Sequence, residues 1–442
     1  MQDLTKGNES KLLLTFVWPL ILANIFQNLY NVVDSAIVGN FIGKQALAAV
    51  GASFPIIYTL ISLIIGVGSG ASIVISQYFG AKDELKVKQA IDTIFIFFLG
   101  ASVVISLIGI PMAPIIFRWM RLPLELHDSA VSYIQIYLAG MFVFFCFNGI
   151  SSILRGLGDS KTPMKYMIIA TILNVVLDVI FIVVFGWGVK GVAFATILSQ
   201  GVALVGAIVH LNRTHEIINL GFRKYVFNTT VFKESVRIGL PTGLQQAFVA
   251  IGILVMMRLV NGFGTNTVAA YSAAVRVDAF VKMPALTFAS GLSSFVGQNL
   301  GANLEFRARK GLRSTILFSG VYCLIIAMMI FLFGEFVMSW FTQDQEVIRI
   351  GYNYLWICSL MYWAFSLMFA YIGFLRGAGA TLIPMYITLI NLWIIRIPLA
   401  IFLSKHYGPN GLWASFPISW VLGAIGAGTY YASNKWRGKI AK

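Results

Sequence analysis

Two carboxylates stand out because what surrounds them is apolar: Asp34, within Gln27-Asn-Leu-Tyr-Asn-Val-Val-Asp34, and Asp178, within Asn174-Val-Val-Leu-Asp178. A charge inside a membrane span is expensive unless it is paired or faces water, so each reads first as a functional group. Asp34 lies five residues before Gly39, roughly 8 Å from the outer end of its span at about 1.5 Å per residue. Asp178 lies fifteen residues after Pro163, about 22 Å in from the opposite end and so at a similar depth. Asn174 shares the face of Asp178 at helical spacing. Thr196, six residues beyond Lys190, comes in at about 9 Å. Together these groups offer only oxygen-rich chemistry, which suits a proton or a hard monovalent cation such as sodium at Asp34, Asn174, Asp178 and Thr196. Two carboxylates brought together in apolar surroundings favour a shared proton, released on hydration or when another cation arrives. The bland alternative gives Asp178 a hydrogen bond to a neighbouring helix and lets Asp34 cap a kink. Two unneutralised acids at one depth would make a poor structural device.

Gln27, Tyr30 and Asp34 recur at spacings of three and four, so they form one polar face on an otherwise apolar helix. The same helix contains Pro19, which removes a backbone donor and predicts a bend.

The elements that must hold these residues are membrane helices. Hydrophobic residues make up 58% of the 442 positions and charged residues 11%, with a mean hydropathy of +0.83, whereas a soluble domain carries about a quarter charged residues. Apolar runs long enough to span a bilayer fall near 12–38, 46–76, 90–117, 128–154, 163–186, 189–211, 234–260, 267–298, 312–340, 350–374, 384–404 and 409–432. The first shows no small-residue cleavage site after a short apolar core, so it is expected to be a span rather than a signal peptide. The net charge of +15 does not point to nucleic acid, because the basic residues are dispersed among short loops. Twenty-two, among them Lys82, Arg155, Lys161, Arg223, Lys224, Arg307 and Lys442, fall in one set of connections, and six (Lys44, Arg118, Arg121, Lys190, Arg349, Lys405) in the other. That imbalance predicts both termini in the cytoplasm.

The chain is also internally duplicated. Arg155-Gly156-Leu157-Gly158 with Pro163-Met164 returns 221 residues on as Arg376-Gly377-Ala378-Gly379 with Pro384-Met385. Gln77, Gly80 and Ala81 return as Gln298, Gly301 and Ala302, and Pro19 and Pro241 match to within one residue. The expected fold is therefore an all-α integral membrane protein, twelve transmembrane helices in two pseudo-symmetric six-helix bundles. Its expected parts are an N-lobe over 1–211, a cytoplasmic linker over 212–233 and a C-lobe over 234–442. An even helix count per repeat predicts a pseudo-twofold axis along the membrane normal and a cavity between the lobes.

The second half departs from the symmetry. Its seventh span carries Gln245 and Gln246 but no acid, and its tenth carries none. Asp278 has Lys282 one turn on and Arg276 nearby, which predicts an internal ion pair; Arg258 and Arg396 have no partner local in sequence. Cys146, Cys323 and Cys358 lack metal-ligand spacing and read as small hydrophobes. The Arg-Gly-Leu-Gly stretch lacks phosphate-loop spacing and reads as a rigid turn, and no nucleotide-binding domain is present in the sequence.

These residues together resemble the multidrug and toxic compound extrusion (MATE) transporters over essentially the whole chain. The carriers are Pro19 with the Gln27–Asn40 stretch, the Gln77 loop, the glycine-rich turn with Asn174 and Asp178, and the returning Pro241, Gln298 and Arg376 motifs. The resemblance implies alternating access and export of cationic or amphipathic compounds in exchange for protons or sodium. It is strongest for members with an N-lobe cation site, which implies coupling at Asp34, Asn174, Asp178 and Thr196 with Gln27 and Tyr30 beside them. A fourth-span tyrosine, Tyr133 or Tyr137, is implied to join. Members with C-lobe acids on the seventh and tenth spans differ from this sequence at both places, so the resemblance does not extend to a C-lobe sodium site.

The expectation is thus a secondary-active multidrug antiporter and not an enzyme, without a cofactor beyond its coupling ion. It is expected to be monomeric and multi-pass in the plasma membrane (the inner membrane in a Gram-negative cell), in contact with lipid and small molecules and with no nucleic acid. The rival from the wider superfamily is a flippase for lipid-linked saccharides, which needs a strongly basic cavity. An intramembrane enzyme lacks a nucleophile–base set, and a channel lacks a ring of pore-lining charge.

Overall fold

The computed structural model describes residues 2–120, 122–214 and 225–439, with Leu63 described by its backbone alone. Part of the expected linker 212–233 and Arg121, Arg223, Lys224 and Lys442 of the charge count lie outside these residues. Fourteen α-helices follow one another: α1 (Glu9–Ile37), α2 (Lys44–Gly80), α3 (Glu84–Trp119), α4 (Leu124–Ala139), α5 (Met141–Gly156), α6 (Lys161–Val179), α7 (Gly188–Thr214), α8 (Thr229–Asn261), α9 (Thr265–Gly301), α10 (Glu305–Ser339), α11 (Gln345–Ser359), α12 (Tyr362–Gly377), α13 (Leu382–Leu389) and α14 (Ile397–Ala432). No strand occurs among the described residues.

Among the described residues nine stretches are long and apolar enough to cross a membrane, and two bent pairs, α4 with α5 and α11 with α12, each add one more. The stretch Leu382–Ala432 counts as one of the nine, yet Gly408 inside it has φ 60° and ψ −145°, so it is two spans, 382–407 and 409–432. The total is the expected twelve. The pattern of burial is inside out. On α10, Leu317, Leu324, Met328 and Phe331 are exposed at spacings that make one helical stripe, suited to lipid. Ser76, Gln77, Gln298, Asn299 and Ser415 are buried.

The duplicated motif has a packing cause. A Cβ on Gly156 would lie 2.8 Å from the carbonyl oxygen of Ser72 on α2, and one on Gly377 would lie 2.5 Å from that of Ser293 on α9. Both pairs are related by the 221-residue shift, so the same close helix approach is built twice. Two residues on, Gly158 and Gly379 both turn the chain at left-handed φ, +83° and +82°, where a side chain is strained.

The bends also repeat. The α4–α5 pair turns by 49° at Gly140 and the α11–α12 pair by 51° at Leu360–Met361. At Gly140 a Cβ would fall 2.2 Å from Ile197, so glycine lets α7 press into the joint.

The chain forms two compact units: residues 1–2 with 18–237, and residues 3–17 with 238–442. The division falls within α1, between Val17 and Trp18, one residue before Pro19. In the first unit Phe98, Phe117, Phe145 and Ile134 centre the apolar core; in the second Tyr354, Trp413, Trp420 and Leu412 do. Cys146, Cys323 and Cys358 are free and buried.

Candidate cation-coupling site

Helices α1, α4, α6 and α7 of the first unit bring the sequence-singled residues to one place. On α1, Tyr30 and Asp34 stand one turn apart and are buried; on α6, Asn174 and Asp178 are fully buried, and Thr196 on α7 is buried too. The Tyr30 hydroxyl donates to Thr196 Oγ1 at 2.9 Å and joins α1 to α7. The Asp34 and Asp178 carboxyls face each other at interaction range.

Tyr133 and Tyr137, one turn apart on α4 with ring centres 6.2 Å apart, both lie in the electrostatic field of Asp34, and Tyr133 also in that of Asp178. Both fourth-span candidates therefore sit at the site. Gln27 is half-buried one turn before Tyr30, and α1 runs through Pro19 as a continuous helix.

What distinguishes the cluster is what its oxygens lack. Asp34 Oδ1, both oxygens of Asp178 and both polar atoms of the Asn174 amide are buried without a hydrogen-bond partner. Buried polar atoms are nearly always partnered, and leaving one bare costs about 1–3 kcal/mol, more if it is charged. A proton or a small hard cation would satisfy several of these acceptors at once.

Each acid is also followed by a widened turn. Val38–Ile42 and Ile180–Val184 are π-helical and pack against each other, and such turns frequently mark functional sites.

Sequence reasoning missed Gln200. It lies one turn beyond Thr196 on α7, is buried with Oε1 unpartnered, and shares a small cavity with Tyr137, Gly140, Phe144 and Thr196. The spacing of four from Thr196 was its only signal.

The second unit answers its own acid differently. Asp278 accepts hydrogen bonds from the Tyr354 hydroxyl at 3.0 Å and the Tyr362 hydroxyl at 2.8 Å and is ion-paired with Lys282. The expected internal pair is therefore present. Arg276 is exposed and outside it, as is Arg258.

A duplicated bundle of apolar helices, with an oxygen-lined polar pocket buried in it, defines a multi-pass membrane transporter rather than an enzyme. The MatE family profile matches residues 19–180 and 241–402, once per repeat. The probable multidrug resistance protein YpnP of Bacillus subtilis (strain 168) is 30% identical over 98% of this chain and 97% of its own. An FAD transporter of Shewanella oneidensis is 25% identical, covering 89% and 88%. A solved multidrug resistance MATE family transporter of the MOP superfamily, in an outward-facing conformation, superposes with a TM-score of 0.91 at 25% identity, covering 97% and 96%. The chain belongs to the MatE family of multidrug efflux transporters, whose members are ion-coupled and act on small molecules.

Proposed function

We propose that the protein is a secondary-active antiporter that exports cationic or amphipathic compounds by alternating access, in exchange for protons, with sodium as the alternative coupling ion. Asp34, Asn174, Asp178 and Thr196 hold the coupling cation. Tyr30, Tyr133, Tyr137 and Gln200 wall the pocket, and Gln27 extends its polar face. The observation that carries this reading is the set of orphaned, buried oxygens on α1 and α6. A bound cation favours one packing of these helices and substrate another, and exchange follows because each ligand prefers a different state. Pro19 leaves α1 one backbone hydrogen bond short, which makes it the place where that helix bends between states. The charge imbalance between connections supports cytoplasmic termini in a plasma or inner membrane, and the protein works as a monomer.

Proteoliposomes with proton and sodium gradients imposed separately test this reading. Dye export driven by the proton gradient alone is expected. Export under neither gradient rejects coupled antiport, and export under sodium alone reassigns the ion.

A further inference from the structure

The first long helix of each unit starts within the other. Residues 3–17, which hold the foot of α1, belong to the second unit, and residues 225–237, which hold the foot of α8, belong to the first. The two crossings fall after 17 and after 237 (237 − 17 = 220), one residue from the 221-residue repeat.

Each foot is fixed by side chains of the unit that holds it. On α9 the buried Gln298 accepts the Leu4 N–H through Oε1 at 3.0 Å, and the buried Asn299 donates from Nδ2 to the Leu4 carbonyl at 3.1 Å. Arg307 on α10 donates to Asn299 Oδ1 and to Glu9 Oε1, both at 3.2 Å. Lys310 stands 3.8 Å from the same Glu9 oxygen, and the Ser10 and Ser314 hydroxyls meet at 2.8 Å. Leu4 itself is fully buried. In the first unit the Asn228 N–H donates to Thr93 Oγ1 at 2.9 Å and its side-chain amide to Gln89 Oε1 at 2.8 Å, while Tyr225 stacks on Phe95.

Helix α1 is therefore a rod held at one end by the second unit and carrying, at the other, a carboxylate of the first. Glu9 and Asp34 are about 38 Å apart along it, at roughly 1.5 Å per residue, with Pro19 between them. Pulling the foot free would strip buried amides of partners, which is costly. At Pro19 the helix already lacks one backbone hydrogen bond. The clamp is thus the firm point of the rod and the proline the soft one.

We propose that Leu4, Glu9 and Arg307 are positioning residues for exchange. They keep the foot of α1 on the second unit throughout the cycle, so that cation binding at Asp34 acts on that unit through α1. An element whose position both ends bias is what a coupling route requires. This inference rests on the antiport reading and gives it a mechanical link.

The test measures ethidium export and proton movement in proteoliposomes. A chain lacking residues 2–7 is expected to export about tenfold less dye per proton, the scale of a typical coupling energy, with its affinity for the dye unchanged. Arg307→Met shifts the ratio the same way, and Arg307→Lys keeps most of it. Ser10→Cys with Ser314→Cys, oxidised to a cross-link, exports at the wild-type rate, because the foot never leaves; the native cysteines are buried and do not compete. Arrest that a reductant reverses shows the foot undocking and overturns the proposal, as does a pair that never cross-links. Wild-type stoichiometry in the shortened chain, or a dye affinity that falls in step with the ratio, defeats the clamp and leaves antiport standing. If the wild type exports no ethidium under either a proton or a sodium gradient, the antiport reading falls and the clamp with it.

Discussion

The Tyr30 hydroxyl and the Thr196 hydroxyl meet at 2.9 Å, one helical turn from Asp34. Among the described residues that bond is a direct side-chain tie between α1, which carries Asp34, and α7 at the pocket. Removing it separates a structural role from a coupling role. Tyr30→Phe and Thr196→Val should each lower stability by about 0.5–1.5 kcal/mol, the ordinary worth of a hydrogen bond. The double variant should cost no more than either alone. Thermal unfolding in detergent reads this out, and additive losses would mean that the bond does not hold the helices.

Asp34→Asn should abolish substrate-driven proton movement and dye export at least tenfold while expression and unfolding temperature hold or rise, because a neutral amide removes a buried charge that lacks a partner. Asp178→Asn should do the same. A variant that still exports at the wild-type rate removes the acid from the coupling site.

Gly156→Ala and Gly377→Ala should each destabilise by about 1–3 kcal/mol, because the new methyl meets a helix carbonyl that cannot swing aside. The carbonyls are those of Ser72 and Ser293, at 2.8 and 2.5 Å from the added atom. Comparable losses in the two halves are expected. If one variant is neutral, that half does not depend on the close approach.

Lys282→Met alone should destabilise by roughly 3–5 kcal/mol, since it strands the buried Asp278 charge. Asp278→Asn combined with Lys282→Met should recover most of that loss. Chemical denaturation of the three proteins decides it, and a double variant as weak as the single would show that the pair does not act as a unit.

The fold was legible where chemistry is local. Hydropathy located all twelve spans, and the returning glycine-rich motif revealed the duplication. Asp34 and Asp178 were visible because a carboxylate among Val, Leu and Ile has few innocent uses. Long-range pairings were not. Asp278 takes its hydroxyl donors from Tyr354 and Tyr362, 76 and 84 residues away, and Arg396 finds Ser419 on another helix. The runs 128–154 and 350–374 read as unbroken spans because neither contains a proline to mark its 49° or 51° bend, and the packing of Ile197 against Gly140 at the first is a tertiary contact. Gln200 went unnoticed because an amide among small polar residues on α7 carries no charge to betray it.

Lys282 is bonded covalently to the chain whose acid it neutralises, so its ammonium cannot diffuse to the far side of the bilayer. A counter-ion on a leash performs no work from a gradient, however large that gradient becomes. Under the proposed coupling at Asp34 and Asp178, ion traffic passes through one half of the duplicated molecule alone, and the number of ions moved per cargo is capped by what a single pocket can load and release.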